Sequence, residues 1–170
     1  MKKILVVVDY QNDFVNGALG SPSAELIEDA ICEKIRSYSD SEVVYTLDTH
    51  GSDYLDTHEG KNLPVPHCIK GTDGHKLYGK TAGLLKDKRC FEKPSFGSLE
   101  LCDYLKKGSY DVVEICGLVT DICVLSNAVM ARAALPEAEI IVDSSCTASA
   151  SEQNKENALN AMKCVHITVL

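Results

Sequence analysis

"MKKILVVVDYQNDF", residues 1–14, decides the fold, because the apolar run Ile4–Val8 admits two readings. A basic start and a short apolar run resemble a secretory leader. The run is too short for the apolar region of one, and Asp9 ends it with no small-residue cleavage site. A buried first β-strand remains, with Asp9 delivered at its carboxyl end.

Comparable runs follow at Glu42–Leu47, Arg89–Glu92, Asp111–Cys116, Glu139–Val142 and Val165–Leu170. They are continuously apolar, not alternating, which predicts strands covered on both faces, as in a parallel sheet. Between them Ser23–Ser37 spaces Leu26, Ile27, Ala30, Ile31 and Ile35 at helical intervals. Leu99–Lys107 ends at Gly108, a candidate C-cap, and Asp121–Leu135 stops at Pro136. Ser151 offers an N-cap for Ser151–Lys163. This alternation predicts an α/β fold: a doubly wound, mostly parallel six-stranded sheet in a Rossmann-like three-layer arrangement. One domain over residues 1–170 accounts for the pattern. Residues 48–88 stand apart, dense in Gly, Pro, His, Asp and Thr, and a loop region of that length is expected to carry function.

Composition narrows the partners. With 17 basic against 25 acidic residues the net charge is −8, which disfavours nucleic acid. No basic amphipathic stretch suits an anionic membrane surface, and no apolar segment approaches the ~20 residues of a bilayer span. A small-molecule partner in the cytoplasm is the expectation, with a homo-oligomer left open. The cysteines are Cys32, Cys68, Cys90, Cys102, Cys116, Cys123, Cys146 and Cys164, and no CxxC pair occurs. That argues against a zinc knuckle or thioredoxin-like motif, and in a reducing compartment most of them serve as small core residues.

Ligands of open α/β sheets collect beyond the carboxyl ends of the strands. That rule brings Asp9, Asp48, His50, Lys93 and the segment Gly117–Cys123 to one edge. With Thr120 as N-cap, Cys123 would fall in the first turn of a helix, where the dipole favours a thiolate. The stretch alone leaves it balanced between nucleophile and buried filler, whereas Cys116, with no helix start behind it, reads as core. Asp9 and Lys93 are the candidate base and charge partner, although Asp9 could equally end a strand and Lys93 lie on the surface. Asp48 and His50 are two apart, on one side of an extended backbone, and Glu59 and His67 follow in the loop. Imidazoles and carboxylates together suit zinc, iron or manganese better than calcium, with His58 competing with Glu59 as a ligand.

These pieces together resemble a known family. "VVVDYQNDF" is similar to the D-x-Q-N-D-F opening of the isochorismatase-like cysteine hydrolases. "DTH…HEGKNLPVPHCIKGTDG" resembles the metal loop of the nicotinamidase/pyrazinamidase branch, and "GLVTDICV" its nucleophile segment. The resemblance implies a triad of Asp9, Lys93 and Cys123. It implies one divalent transition metal, zinc first and iron or manganese next, on Asp48, His50 and His67. Glu59 matches a fourth ligand found in some members, and His58 matches none. It also implies a cis peptide between Leu118 and Val119, which would bring the Val119 and Cys123 amides together as an oxyanion hole.

The implied activity is hydrolysis of nicotinamide to nicotinate and ammonia through a Cys123 thioester, a step of NAD salvage. Many nicotinamidases carry an aromatic residue shortly before the loop's metal histidine, where this chain has Pro64 or Val65, and the chain has no Trp. Phe14 and Phe96 would then supply ring stacking, with Leu19 lining the pocket. Another amidase of the same superfamily, acting on a different carboxamide or a ureido compound, is the alternative. A thiol sensor on the same fold fits an intact Asp-Lys-Cys set less well. A nucleotide module lacks its G-x-G-x-x-G.

Overall fold

Alternate residues of a strand face opposite sides of its sheet, and the first run divides accordingly. Ile4, Val6 and Val8 enter one core with Phe91, Leu105, Ala128 and Met162, while Leu5 and Val7 enter a second with Ile31, Ile35 and Leu85. Two cores require cover on both faces. The computed structural model, which describes residues 1–39 and 41–170, provides it.

The strands are β1 (Lys3–Val8), β2 (Glu42–Asp48), β3 (Arg89–Lys93), β4 (Val112–Leu118), β5 (Glu139–Ala148) and β6 (Thr168–Val169). They pair in parallel in the order β3-β2-β1-β4-β5-β6. The helices are α1 (Asn12–Val15), α2 (Pro22–Leu26), α3 (Glu28–Ser37), α4 (His58–Asn62), α5 (Gly79–Leu85), α6 (Leu99–Gly108), α7 (Leu125–Ala134) and α8 (Glu152–Cys164). Residues of α3 and α5 cover the second core; those of α6, α7 and α8 cover the first. The strand order reverses direction between β1 and β4, so the crevice at their carboxyl ends is the expected ligand site. Among the described residues no helix is long and apolar enough to cross a membrane.

Several boundaries moved for physical reasons. The predicted helix Ser23–Ser37 is two helices meeting at Ile27, the first started by Pro22 and capped by Ser21 Oγ accepting from the Ala24 amide. Gly108 closes α6 instead of capping it, and Ser109 takes the left-handed conformation with φ 52°. A Cβ on Gly108 would lie 2.2 Å from the Tyr110 ring, so close packing explains that glycine. Strand β5 runs past Val142 through polar residues because its pairing with β4 shifts register between Ile115 and Gly117. Strand β6 is shorter than the apolar run Val165–Leu170 suggested. Ser151 caps α8 as expected, its Oγ accepting from the Asn154 amide.

The irregular part of β5 carries an ion cluster under α3. Lys34 Nζ lies 2.5 Å from Glu114 Oε1 and 2.8 Å from Asp143 Oδ2, and the Tyr38 hydroxyl donates to Glu114. Burial works to raise the Asp143 pKa, but hydrogen bonds from Lys34 and Ser145 outweigh it and hold the carboxyl below its ordinary value. A depressed carboxyl contributes stability above its unfolded pKa of about 3.9 and loses it as pH falls through the folded value. Replacing Lys34 by Met should therefore cost about 1–3 kcal/mol at neutral pH. It should also flatten the fall in stability below about pH 4. Urea denaturation across that range checks both; an unchanged slope would contradict the cluster's role.

Candidate active site

Strand ends converge here as the topology dictates. Lys93, the last residue of β3, is buried and places Nζ 2.6 Å from Asp9 Oδ2, 3.4 Å from Asp48 Oδ1 and 3.5 Å from Cys123 Sγ. It also donates to the Ser95 carbonyl at 3.0 Å. Asp9 follows β1 with φ 44°, a backbone region sparsely used by residues other than glycine and often found at functional sites. Its Oδ1 accepts from Thr46 Oγ1 at 2.5 Å, whereas Oδ2 faces only the Lys93 ammonium. All three predicted triad residues are therefore together and enclosed.

The segment around Cys123 is built differently from the simple helix start expected. Thr120 is not an N-cap; its hydroxyl bonds Thr147 at 2.8 Å, and residues Thr120–Val124 form a π-helical turn ahead of α7. The Val124 amide donates to the Val119 carbonyl at 3.1 Å, the five-residue spacing of such a turn. Gly117 has φ 109°, and a Cβ there would sit 2.1 Å from the Val8 carbonyl, so only glycine lets this turn approach β1. The Leu118–Val119 peptide is cis. Cys123 is buried, and burial first, then the Asp9 charge, push its thiol well above the ordinary value although Lys93 pulls it down. That direction is opposite to the lowering a helix-start dipole would give. Burial also leads in raising the Asp9 pKa, against the lowering effect of Lys93. Cys116 is fully buried in the second core, as expected of a structural thiol.

Beside the triad lies the loop cluster. One donor atom each from Asp48, His50, Glu59 and His67 falls within 4.8 Å of every other. Asp48 Oδ2 is 3.0 Å from His50 Nε2 and 3.4 Å from His67 Nε2, and Glu59 Oε1 is 3.7 and 3.6 Å from the same nitrogens. His67 Nδ1 donates to the Val65 carbonyl at 2.8 Å, which turns Nε2 toward the cluster as a ligand's second nitrogen requires. Two imidazole nitrogens and two carboxylate oxygens, mostly buried and facing one another, fit a divalent transition metal. His58 lies outside this set.

Other residues hold the two groups in place, and sequence reasoning did not single them out. Gln11 donates through Nε2 to the carbonyls of Asp48 and His75 and accepts from the Asp48 amide through Oε1. It grips Asp48 at both backbone groups. Asp13 accepts from the Cys68 amide at 2.7 Å, next to His67. Tyr54 packs edge-on against the rings of His50 and His67, with centroids 4.8 and 5.0 Å away. Asn127 donates to the carbonyls of Cys123 and Phe96 and accepts from the Ser98 amide. The signal for Gln11 and Asp13 was present: polar residues directly behind a buried strand need partners. Tyr54 and Asn127 carried no such mark.

A cavity of about 270 Å³ opens onto Cys123 and is lined by Phe14, Leu19 and Phe96, the three predicted pocket residues, as well as by Asp48, Glu59 and His67. Leu118, Ile122 and Leu63 add an apolar wall that was not anticipated. The fold and the site together define an α/β protein that presents a buried cysteine, carboxylate and lysine beside a candidate metal centre. Residues 3–170 match the isochorismatase domain, and the chain belongs to that family. It is similar to the nicotinamidase PncA of Bacillus subtilis, at 32% identity, 99% coverage of each chain and a TM-score of 0.88. It also resembles the pyrazinamidase of Pyrococcus horikoshii in complex with zinc, at 26% identity, covering 100% of this chain and 99% of that one, with a TM-score of 0.86. The nicotinamidase/pyrazinamidase of Mycobacterium tuberculosis is 26% identical over 99% of this chain and 98% of its own.

Gln11→Met should unmask the grip on Asp48. It leaves the Asp48 amide and carbonyl buried without their partner, at a cost of about 2–3 kcal/mol. Chemical denaturation measures this; a change under about 0.5 kcal/mol would mean the contacts contribute no net stability.

Proposed function

We propose that the protein is a nicotinamidase, a metal-assisted cysteine hydrolase that converts nicotinamide to nicotinate and ammonia. One observation carries the reading: the cavity that opens onto Cys123 is lined, on the same surface, by Asp48, Glu59 and His67. A carboxamide and a ring heteroatom of one small molecule can then be held at once. Relatives named nicotinamidase or pyrazinamidase along the whole chain support it.

The chemistry follows from the placement of Asp9, Lys93 and Cys123. Asp9, whose Oδ1 is held by Thr46 and whose Oδ2 faces Lys93, receives the Cys123 proton as Sγ attacks the carboxamide carbon. The Val119 and Cys123 amides hold the oxyanion. Asp9 returns the proton to the departing nitrogen, the C–N bond breaks, and ammonia leaves a thioester. Asp9 then takes a proton from the water that adds to the thioester carbon, releasing nicotinate and restoring the thiol. Lys93 holds Asp9 and the transient thiolate in their charged forms at 2.6 and 3.5 Å.

Asp48, His50, Glu59 and His67 would hold the metal, zinc first with iron or manganese next. Bound there, the ion would act as a Lewis acid toward the pyridine nitrogen and fix the ring's orientation. All eight cysteines are free thiols, which suits work in a reducing cytoplasm.

Cys123→Ala should abolish ammonia release from nicotinamide, whereas Cys116→Ala should keep most of it. Equal loss in both would remove Cys123 as nucleophile. Chelation should stop turnover, and Asp48→Ala or His67→Ala should empty the protein of metal as read by elemental analysis. Full activity in a rigorously metal-free preparation would overturn the loop assignment.

A further inference from the structure

The cavity at Cys123 has a neighbour. A second cavity of about 540 Å³ adjoins it, and Glu59, Leu63, Phe96 and Ile122 line both. Leu63, Phe96 and Ile122 are 37%, 43% and 42% exposed, so the shared boundary is a rim of apolar side chains at the surface and not a packed wall. Apolar groups left open to water beside a binding pocket gain free energy when a ligand covers them, at roughly 25 cal/mol per Å².

The chemistry beyond the rim is mixed. Pro94 continues the apolar wall, while Thr57, His58 and Asn62 supply a hydroxyl, an imidazole and an amide. Neither Lys nor Arg is among the residues lining this second cavity, and the Glu59 carboxylate is. An anionic group would meet no lysine or arginine side chain there and one carboxylate. A neutral group with an apolar body fits.

Position decides which part of a substrate could reach it. Cys123 lines the first cavity alone, so the carboxamide carbon belongs there; the second cavity includes His50 and Glu59 of the metal cluster. It therefore adjoins the pocket on the side of the metal cluster and does not include Cys123. We propose that this cavity is a subsite for a neutral, largely apolar ring substituent, and that the protein hydrolyses ring-substituted heteroaryl carboxamides as well as the bare ring. This rests on the nicotinamidase reading above and extends its substrate class to ring-substituted carboxamides. The reaction is unchanged: water cleaves the C–N bond, ammonia leaves, and nothing is oxidised or reduced. It also gives a place to His58, which the metal cluster does not use.

The experiment compares ammonia release by the metal-loaded enzyme from nicotinamide and from nicotinamide carrying a phenyl group at C5. The expected result is a kcat/KM for the phenyl compound within about tenfold of that for nicotinamide. His58→Trp and Asn62→Trp, which narrow only the second cavity, should lower the phenyl compound's kcat/KM at least about tenfold and nicotinamide's less than about twofold. A phenyl compound worse than nicotinamide by about a hundredfold or more, or variants that slow both substrates alike, would overturn the subsite. If the wild type releases no ammonia from nicotinamide, the functional reading fails separately. Titration calorimetry of both compounds then decides the cavity: tighter binding of the phenyl compound, weakened by His58→Trp, upholds it, and equal affinity refutes it.

Discussion

The Asp48 carboxylate is shared, one oxygen to each half of the site. Oδ1 faces the buried Lys93 ammonium at 3.4 Å, and Oδ2 faces His50 and His67 at 3.0 and 3.4 Å. Burial alone would raise its pKa, but the histidines and Lys93 outweigh that and hold it well below the carboxylate range. Lys93 is in the reverse position: burial opposes its charge, and Asp9, Cys123 and Asp48 keep it protonated. Removing an ammonium from water costs several kcal/mol unless partners surround it. Asp9 and Asp48 are those partners, and without Lys93 two buried carboxylates would repel.

Strand order makes this sharing geometrically natural. Strand β3 is separated from β1 by β2, and neighbouring strands lie about 4.8 Å apart. A group at the end of β3 must therefore cross β2 to reach Asp9. Lysine has the length to do so, and Asp48, at the end of β2, lies along its way. The charge relay across three strand ends is thus a consequence of parallel pairing in register, with Asp48 opposite Lys93 and the Val8 end of β1 beside Gly117 of β4.

Most of this was legible in the chain because it depends on period and position. Continuous apolar runs disclosed a two-faced parallel sheet, and the rule of carboxyl strand ends collected Asp9, Asp48, Lys93 and Cys123. Tertiary effects escaped. Lys34 pairs with Asp143 of β5 from over a hundred positions away, and no local pattern reports that contact. Tyr54 matters through the faces of two rings, whereas its local sequence shows only an aromatic in a polar loop. Thr120 has the residue type of an N-cap, yet Thr147 captures its hydroxyl, because β5 lies close enough to compete.

That last exchange alters the setting of Cys123. A helix beginning at Thr120 would have stabilised a resting thiolate; the π turn buries Cys123 beside a raised Asp9 instead. Cys123 and Asp9 are thus two buried acids beside one ammonium. Enclosure protects such a site from stray oxidation, since susceptibility follows thiolate character and exposure. Gly117, by letting the turn close against β1, is what brings the two acids within reach of the same lysine.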